Sequence, residues 1–577
     1  MLGRIVRTAL LAAAIFTFSG NVSADNFGGQ QFDIPDPATG GHGGELYIEH
    51  CSGCHDAGLE RAPHRALFAF MSPQSIYRAL KDGQMKVQGE SLSDEDKTTL
   101  AEFLTRKKMS AASEALDPPM CEGKAAEFDF TEPAVFPGWG LSAGNTRTVP
   151  ANVAGIDKKN VGRLQLKWAV AFPNALQVRS EPALAGGALY VGSHNGGVYA
   201  LDRMTGCLRW VFQAGSEVRT GVVVSPWKSG DHAAKPLVYF GDIFGFVYAV
   251  DAQTGQLAWR LRADEHPNTT ITGTPTLYEG TLYVPVSAQE GGAPTADPNY
   301  ECCKARGAVA AYNALTGELK WKTYTTDEPK LVGTNAKGAN QYGPSGANVW
   351  NSPTIDPKRK QLYVGTAPNT SSPATNTSDA MIAMDLATGA IKWVYQGTAN
   401  DAMNLACYIP DKTNCPKENG PDFDFGGAGT MLVSLADGRD LVIGGQKSGN
   451  VHALDPDTGK RVWRQRPGRG GMIGGVHFGM AANSDTLFVP VNDAPDGKQY
   501  FELPRPGVYA LGFDGGKSLW SVPSKAEDCG TVKNCLNGYT QAITATPDLV
   551  FAGNNAGWLR AFDARSGYVL WEIDTKQ

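Results

Sequence analysis

Ala200-Leu-Asp-Arg-Met-Thr-Gly-Cys-Leu-Arg-Trp210 is the first complete copy of a unit that sets the architecture of this chain. Close copies end at Trp259 (AVDAQTGQLAW), Trp321 (AYNALTGELKW), Trp393 (AMDLATGAIKW) and Trp463 (ALDPDTGKRVW), and looser ones at Trp520 (ALGFDGGKSLW) and Trp571 (AFDARSGYVLW). A degenerate first copy, NVGRLQLKW, ends at Trp168. Each full copy reads as strand, tight turn, strand: the Asp bonds its own turn backbone, Thr-Gly makes the turn, and alternating residues run on to the Trp. Another strand-like run lies upstream, as in Ala188-Leu-Tyr-Val-Gly192 and Thr281-Leu-Tyr-Val-Pro285. Four strands per unit, recurring every 42 to 72 residues, describe propeller blades. Eight tryptophans therefore predict an all-β eight-bladed propeller, with each indole wedged between neighbouring blades. The segment bearing Trp168 is expected to add a strand that completes the last blade and closes the ring.

The rest of the chain fits one large repeat fold plus a small module. Of 577 residues, 42% are hydrophobic and 19% charged, an ordinary globular balance, and 68 Gly with 35 Pro suit many short strands and turns. The net charge of −6 and the lack of a basic block argue against a nucleic-acid partner. At the start, Arg4 and Arg7 precede the apolar run Ala9 to Phe18, and Val22-Ser23-Ala24 makes a small-residue cleavage site. Residues 1–24 thus read as a secretory signal peptide, and the protein as exported, to a bacterial periplasm. Ten cysteines in an exported chain should be paired or ligated. Proximity suggests the pairs 302–303, 407–415 and 529–535, and leaves Cys121 and Cys207 for a long-range bridge.

The remaining two cysteines stand in Cys51-Ser-Gly-Cys54-His55, the c-type haem attachment pattern. Two thiols three positions apart can add to the two vinyl groups of a haem, and the adjacent His55 supplies the proximal iron ligand. Amphipathic stretches at residues 44–50 and 75–80, and a capping box opened by Ser93 and Asp96, outline the helices of a small cytochrome. A sixth ligand calls for a soft sulfur from a loop. Met85, between the second and third helices, is the expected ligand, and Met71 competes. The domain plan is a signal peptide over 1–24, a cytochrome c domain with its lead-in over 25–120, and the propeller over 121–577.

The recurring Thr-Gly-x-x-x-Trp, and Trp139-Gly-Leu-Ser-Ala-Gly-Asn-Thr-Arg147 ahead of it, resemble the quinoprotein alcohol dehydrogenases, which bind pyrroloquinoline quinone (PQQ). A cytochrome placed before the propeller, with Asn414-Cys-Pro and Gly420-Pro-Asp-Phe-Asp-Phe-Gly426 inside it, is similar to the polyvinyl alcohol dehydrogenase branch of that family. The resemblance implies that Trp350 stacks under the quinone and that the adjacent pair Cys302–Cys303 covers it, although that pair stands away from the family's usual position. It places Lys447 against the quinone oxygens, Arg219 at its carboxylates, and Thr272 in the same pocket. Glu290 and Asn369 are the implied calcium ligands, the latter displaced by one position. A blade-one Glu of the family is replaced by Arg179 with Glu181 nearby, and neither is assigned.

The implied base is Asp424, with residues 401–421 as an insertion and Met431 then in register; Asp422 and Asp401 are the alternates. The implied activity is oxidation of secondary alcohol groups, of polyvinyl alcohol or a similar compound, to ketones. Asp424 takes the alcohol proton, calcium acts as Lewis acid, and electrons leave through the haem to an external cytochrome c-type acceptor. The competing classes are a PQQ-free propeller scaffold and a pure electron-transfer protein.

Overall fold

The computed structural model describes residues 35–56, 62–109, 118–134, 136–173, 175, 178–496 and 498–576. The expected signal peptide lies outside them. Among the described residues, seven antiparallel sheets follow one another, each with a path of four strands, over 183–213, 223–262, 276–324, 354–396, 430–465, 481–523 and 544–574; the third gains a short fifth strand, Thr269–Thr270. These are blades one to seven.

The repeat earns its sequence from one recurring contact. In blade one, Asp202 Oδ1 accepts the backbone N–H of Thr205 (2.9 Å) and its hydroxyl (2.8 Å), which shapes the turn. The glycine that follows, Gly206, sits at φ 74°, a left-handed conformation that glycine tolerates. A side chain there would collide with the indole of Trp168, and Trp168 Nε1–H donates to Arg203 O at 3.1 Å. The same docking recurs from blade to blade: Trp210 Nε1–H on Ala252 O, Trp259 on Ala314 O, Trp321 on Leu386 O, Trp393 on Pro456 O, Trp463 on Phe513 O and Trp520 on Ala564 O. Each indole thus covers the turn glycine of the next blade and satisfies one of its carbonyls.

This contact explains why eight tryptophans do not make eight blades, and the expectation of an eight-bladed propeller is corrected to seven. Trp168 keeps the wedge but belongs to no strand. Its segment lacks the turn glycine of the other copies, and among the described residues it forms no strand. It fills the gap between the last and first blades instead. Val161, Ile156 and Leu164 cluster with Leu549, Ala561 and Trp571 of blade seven, and Trp168, Val170 and Phe172 cluster with Tyr199 and Leu201 of blade one.

The stretch 136–149 threads past the innermost strands and pins them together. Its carbonyls accept backbone N–H groups from blade two (Val224 to Pro137), blade four (Ile355 to Ala143), blade five (Leu432 to Gly144), blade six (Ala482 to Thr146) and blade seven (Ala545 to Arg147). The buried Arg147 guanidinium donates to Ile543 O (2.7 Å), Trp139 O (2.6 Å) and Glu181 Oε1 (2.8 Å). The Trp-to-Arg stretch noted in the sequence is therefore an axial clamp.

The helical module has helices Gly41–His50, Pro73–Lys81 and Asp94–Thr105, the last opened by the expected Ser93–Asp96 capping box. It sits on the propeller end formed by the loops after each blade's second strand and by the blade-to-blade links. Arg78 Nη1 donates to Gln213 Oε1 (2.6 Å), and Ile243 and Phe244 of blade two join the module's own core. The disulfides Cys121–Cys207, Cys302–Cys303, Cys407–Cys415 and Cys529–Cys535 form as expected. No helix among the described residues is long and apolar enough to cross a membrane.

Candidate active site and haem-binding module

Antiparallel alternation puts the links between blades and the loops after each second strand at the same end of the ring. The link from blade three to four carries Trp350, the link from four to five carries Asp401, Asp422 and Asp424, and the blade-five loop carries Lys447. Lys447 Nζ lies 2.7 Å from Asp424 Oδ2 and 3.0 Å from Asp422 Oδ2, and 5.7 Å from the centre of the Trp350 ring. Burial alone would lower the Lys447 pKa, but Asp422 and Asp424 outweigh that and raise it, so the ammonium stays charged. Asp424 Oδ1 also accepts the Gly426 N–H (2.9 Å). Gly426 packs so closely on the Trp350 indole that no side chain fits there, which explains Asp-Phe-Gly at this corner. Thr272 is half-buried beside Gly273, whose own packing is against the Trp350 backbone.

Behind these residues lies a fourth carboxyl group, one that the sequence reading missed. Asp379 is fully buried, neither of its carboxyl oxygens has a hydrogen-bond partner, and burial followed by the charges of Asp401, Asp424 and Asp422 pushes it well above the carboxylate range. Burial likewise pushes Asp422 up, against the pull of Lys447. Asp401 Oδ2 accepts the Phe423 N–H (3.0 Å) and so holds the strip between Asp422 and Asp424. Asp379 had no motif around it, only the polar run before strand Ala380–Asp385.

The residues fit a flat tricarboxylate quinone. Trp350 offers a rigid aromatic surface. Arg219 stands 3.8 Å from Glu217, with Arg179 close enough that burial and Arg219 lower it to about 10. Lys107 of the helical module, lowered by burial to about 8, feels the same Glu217 and Arg179. Three cations around one carboxylate leave positive charge to spare, which an anionic ligand would neutralise. The disulfide Cys302–Cys303 is buried: Tyr342 N–H donates to Cys302 O (2.6 Å), and Asn404 Nδ2 reaches Cys302 Sγ at 4.0 Å.

The pair implied for calcium does not fit a metal in this arrangement. Glu290 spends both oxygens on protein donors, taking the N–H groups of Lys304 (2.9 Å) and Ala305 (2.6 Å) on Oε2 and the Tyr300 hydroxyl (3.1 Å) on Oε1. Asn369 Oδ1 accepts both the N–H (2.6 Å) and the hydroxyl (3.0 Å) of Thr375, and its Nδ2 donates to Ser345 O (2.8 Å). Among the described residues no group of three or more His, Cys, Asp or Glu is placed to hold a metal ion.

The haem signature fits its group. Cys51 and Cys54 are the two cysteines outside the disulfides. His55 Nδ1 lies 2.8 Å from Pro63 O, which fixes the ring and leaves Nε2 for iron, and burial lowers its pKa so that the imidazole is neutral. Met85 is half-buried at the edge of the module's core, whereas Met71 is wholly inside it, where a methionine fills space.

Comparison with known proteins bears on both modules. Residues 137–407 match the family model for the glucose/ethanol/alcohol dehydrogenase beta-propeller domain, and 38–104 match that for cytochrome C oxidase, cbb3-type, subunit III. Residues 447–577 match the model for outer membrane protein assembly factor BamB. A polyvinylalcohol dehydrogenase of Pseudomonas sp is 36% identical over 94% of this chain and 85% of its own length. Another, of Sphingopyxis sp., is 32% identical over 93% and 84%. The structure of quinohemoprotein alcohol dehydrogenase from Comamonas testosteroni matches 78% of this chain and 74% of its own with a TM-score of 0.54 at 20% identity, a likeness of fold.

Proposed function

The chain belongs to the PQQ-dependent quinohaemoprotein alcohol dehydrogenases, and from that premise we propose that it oxidises the secondary alcohol groups of polyvinyl alcohol or a similar polymer to ketones. As a family member it is a PQQ- and haem-dependent alcohol dehydrogenase, and calcium is typical of the family. The proposal extends to export to the periplasm, to an external cytochrome c-type acceptor, and to a domain division at residues 25–120 and 121–577.

Bound PQQ would supply a two-electron acceptor for the hydride, and the haem a one-electron relay. The residues of the chain do the rest. Trp350 provides the surface on which the quinone rests, with Thr272, Arg219 and the Cys302–Cys303 pair as its other neighbours. Asp424, held by Lys447 and by the Gly426 N–H, accepts the hydroxyl proton of the alcohol at Oδ2. Lys447 keeps that carboxylate oriented and offsets the charge around it. Cys51 and Cys54 would hold the haem, with His55 and Met85 the residues that would reach its iron. No step is assigned to a metal, because Glu290 and Asn369 are already saturated by protein donors.

The observation that carries the reading is the meeting of Trp350, Asp424 and Lys447 on the same propeller end that seats the helical module. A scaffold propeller has no use for a buried carboxylate–ammonium pair over an indole. The test is to load the purified protein with PQQ and ask whether polyvinyl alcohol and small secondary alcohols reduce its haem. Reduction that does not depend on PQQ would defeat the proposal.

A further inference from the structure

Among the contacts between the helical module and the active-site end is one made by a half-buried aromatic residue, Tyr300, that the reaction as described does not use. The path begins at His55, whose Nδ1–H is held by Pro63 O at 2.8 Å. The next residue, His64, is 5% exposed, and its ring stands edge-on to Tyr300 with 5.5 Å between centroids. A second link runs beside it: His64 N–H donates to Asn268 Oδ1 (3.3 Å), and Asn268 Nδ2 donates to the Tyr300 hydroxyl (3.4 Å). Tyr300 is two residues ahead of Cys302 in the blade-three insertion. Its hydroxyl donates to Glu290 Oε1 (3.1 Å), and Glu290 also binds the N–H groups of Lys304 and Ala305, just after the disulfide. Tyr300 and Glu290 therefore grip the Cys302–Cys303 strip from both flanks.

We infer that Tyr300 is the positioning residue through which electrons cross from the disulfide side of the active site to the axial histidine of the haem module. The inference rests on the dehydrogenase reading above. From His55 to Cys302 the route needs one hydrogen bond, one peptide link, one ring contact and the short chain from Tyr300. Nothing along it must change oxidation state. Each crossing moves one electron, taking haem iron from ferric to ferrous, and the two protons of alcohol oxidation stay on the site side. Two groups on the path are held in one protonation state. Burial and Glu290 keep the Tyr300 hydroxyl far above its ordinary range, and burial lowers His64 to about 4, so it is neutral near pH 7. Glu290 thereby has a role in this chain as a brace for the junction, consistent with its saturated oxygens.

The test uses the full chain with covalent haem and bound PQQ, in wild type, Tyr300→Leu, Tyr300→Phe, His64→Leu and the double Leu variant. Two rates are read after adding alcohol: reduction of the internal haem, and reduction of an artificial dye that takes electrons at the quinone. Tyr300→Leu should slow haem reduction about tenfold or more, a barrier change of roughly 1.4 kcal/mol, with the dye rate unchanged. Tyr300→Phe keeps the ring and should restore most of the haem rate. His64→Leu should slow haem reduction too, and the double variant should be no slower than the worse single, as for two members of one path. In the quinone-free protein the haem midpoint potential and methionine–iron band should not move. Haem reduction at the wild-type rate in Tyr300→Leu would overturn the inference. So would haem and dye rates falling together, since Tyr300 would then be supporting the site. Failure of the wild type to reduce the dye would instead sink the dehydrogenase reading.

Discussion

Replacing Asp424 by Asn should separate catalysis from folding. The structure gives Lys447 two carboxylates, Asp424 at 2.7 Å and Asp422 at 3.0 Å. Removing the charge from one leaves the other, so the buried ammonium is never abandoned. The stability loss should be that of one hydrogen bond to a charged group, about 1.5–3 kcal/mol, offset in part because Asp422 loses a repulsive neighbour. The alcohol proton has no comparable substitute acceptor, and a positioned acid–base group is worth about 10²–10⁴ in rate, or roughly 3–5 kcal/mol of barrier. The assay is stopped-flow reduction of the internal haem by alcohol in PQQ-loaded protein, with bound PQQ and thermal melting measured alongside. Asp422→Asn is the matched control: it preserves the shorter Lys447–Asp424 pair and should lose far less rate. If the two variants exchange behaviour, Asp422 is the base. If neither slows the reaction, no base resides on this corner and the mechanism fails.

The other expected outcomes touch different parts of the molecule. Cys51→Ala with Cys54→Ala should yield protein without covalent haem, tested by acid–acetone extraction, and Met85→His should abolish the methionine–iron band; a surviving band would shift the ligand to Met71. Trp463→Ala should lower stability by about 3–5 kcal/mol, because it empties a buried wedge and orphans Phe513 O, as equilibrium denaturation would show. His452 and His477 are held by burial down to about 3, against about 6.5 in an unfolded chain. Between those values the unfolded state binds the extra protons, so stability is retained above pH 6.5 and lost as pH falls. At about pH 4.5 the loss should be roughly 3 kcal/mol per histidine. Because the raised Asp379 and Asp422 titrate in the opposite sense, the reference is a His452→Gln, His477→Gln variant, and a fall in midpoint between about pH 7 and 4.5 no smaller in that variant than in wild type would contradict this.

Some of this was legible in the sequence for definite reasons. The Thr-Gly-x-x-x-Trp spacing is visible because one contact, indole on the next blade's turn glycine, enforces two residue types at once. The same contact misled the blade count, since Trp168 preserves the wedge after its hairpin has gone. The haem signature is local and needs no tertiary information. Asp424 is singled out by the register of Met431 after an insertion at 401–421, and the structure sets it beside Lys447, with Gly426, two residues on, pressed against the Trp350 indole. The calcium pair could not be judged, because the saturation of Glu290 and Asn369 comes from Tyr300, Lys304, Ala305 and Thr375, donors brought in by loops without motifs. Asp379 and Tyr300 are silent in sequence for the same reason, and Arg179 is noted there without a role: what singles them out is proximity to charged or aromatic groups from distant blades or from the helical module.

The central claim is that alcohol electrons enter at Trp350 and Asp424 and leave through the haem of the same chain. The most direct measurement titrates anaerobic protein, haem oxidised, with PQQ in the presence of excess secondary alcohol and follows the ferrous haem spectrum. The account predicts no reduction without PQQ, and reduction that rises with added PQQ until one quinone per chain is bound, with each step about 10²–10⁴ slower in Asp424→Asn than in wild type. Haem that is reduced equally with and without PQQ, or that stays oxidised in the fully loaded wild type, would contradict it.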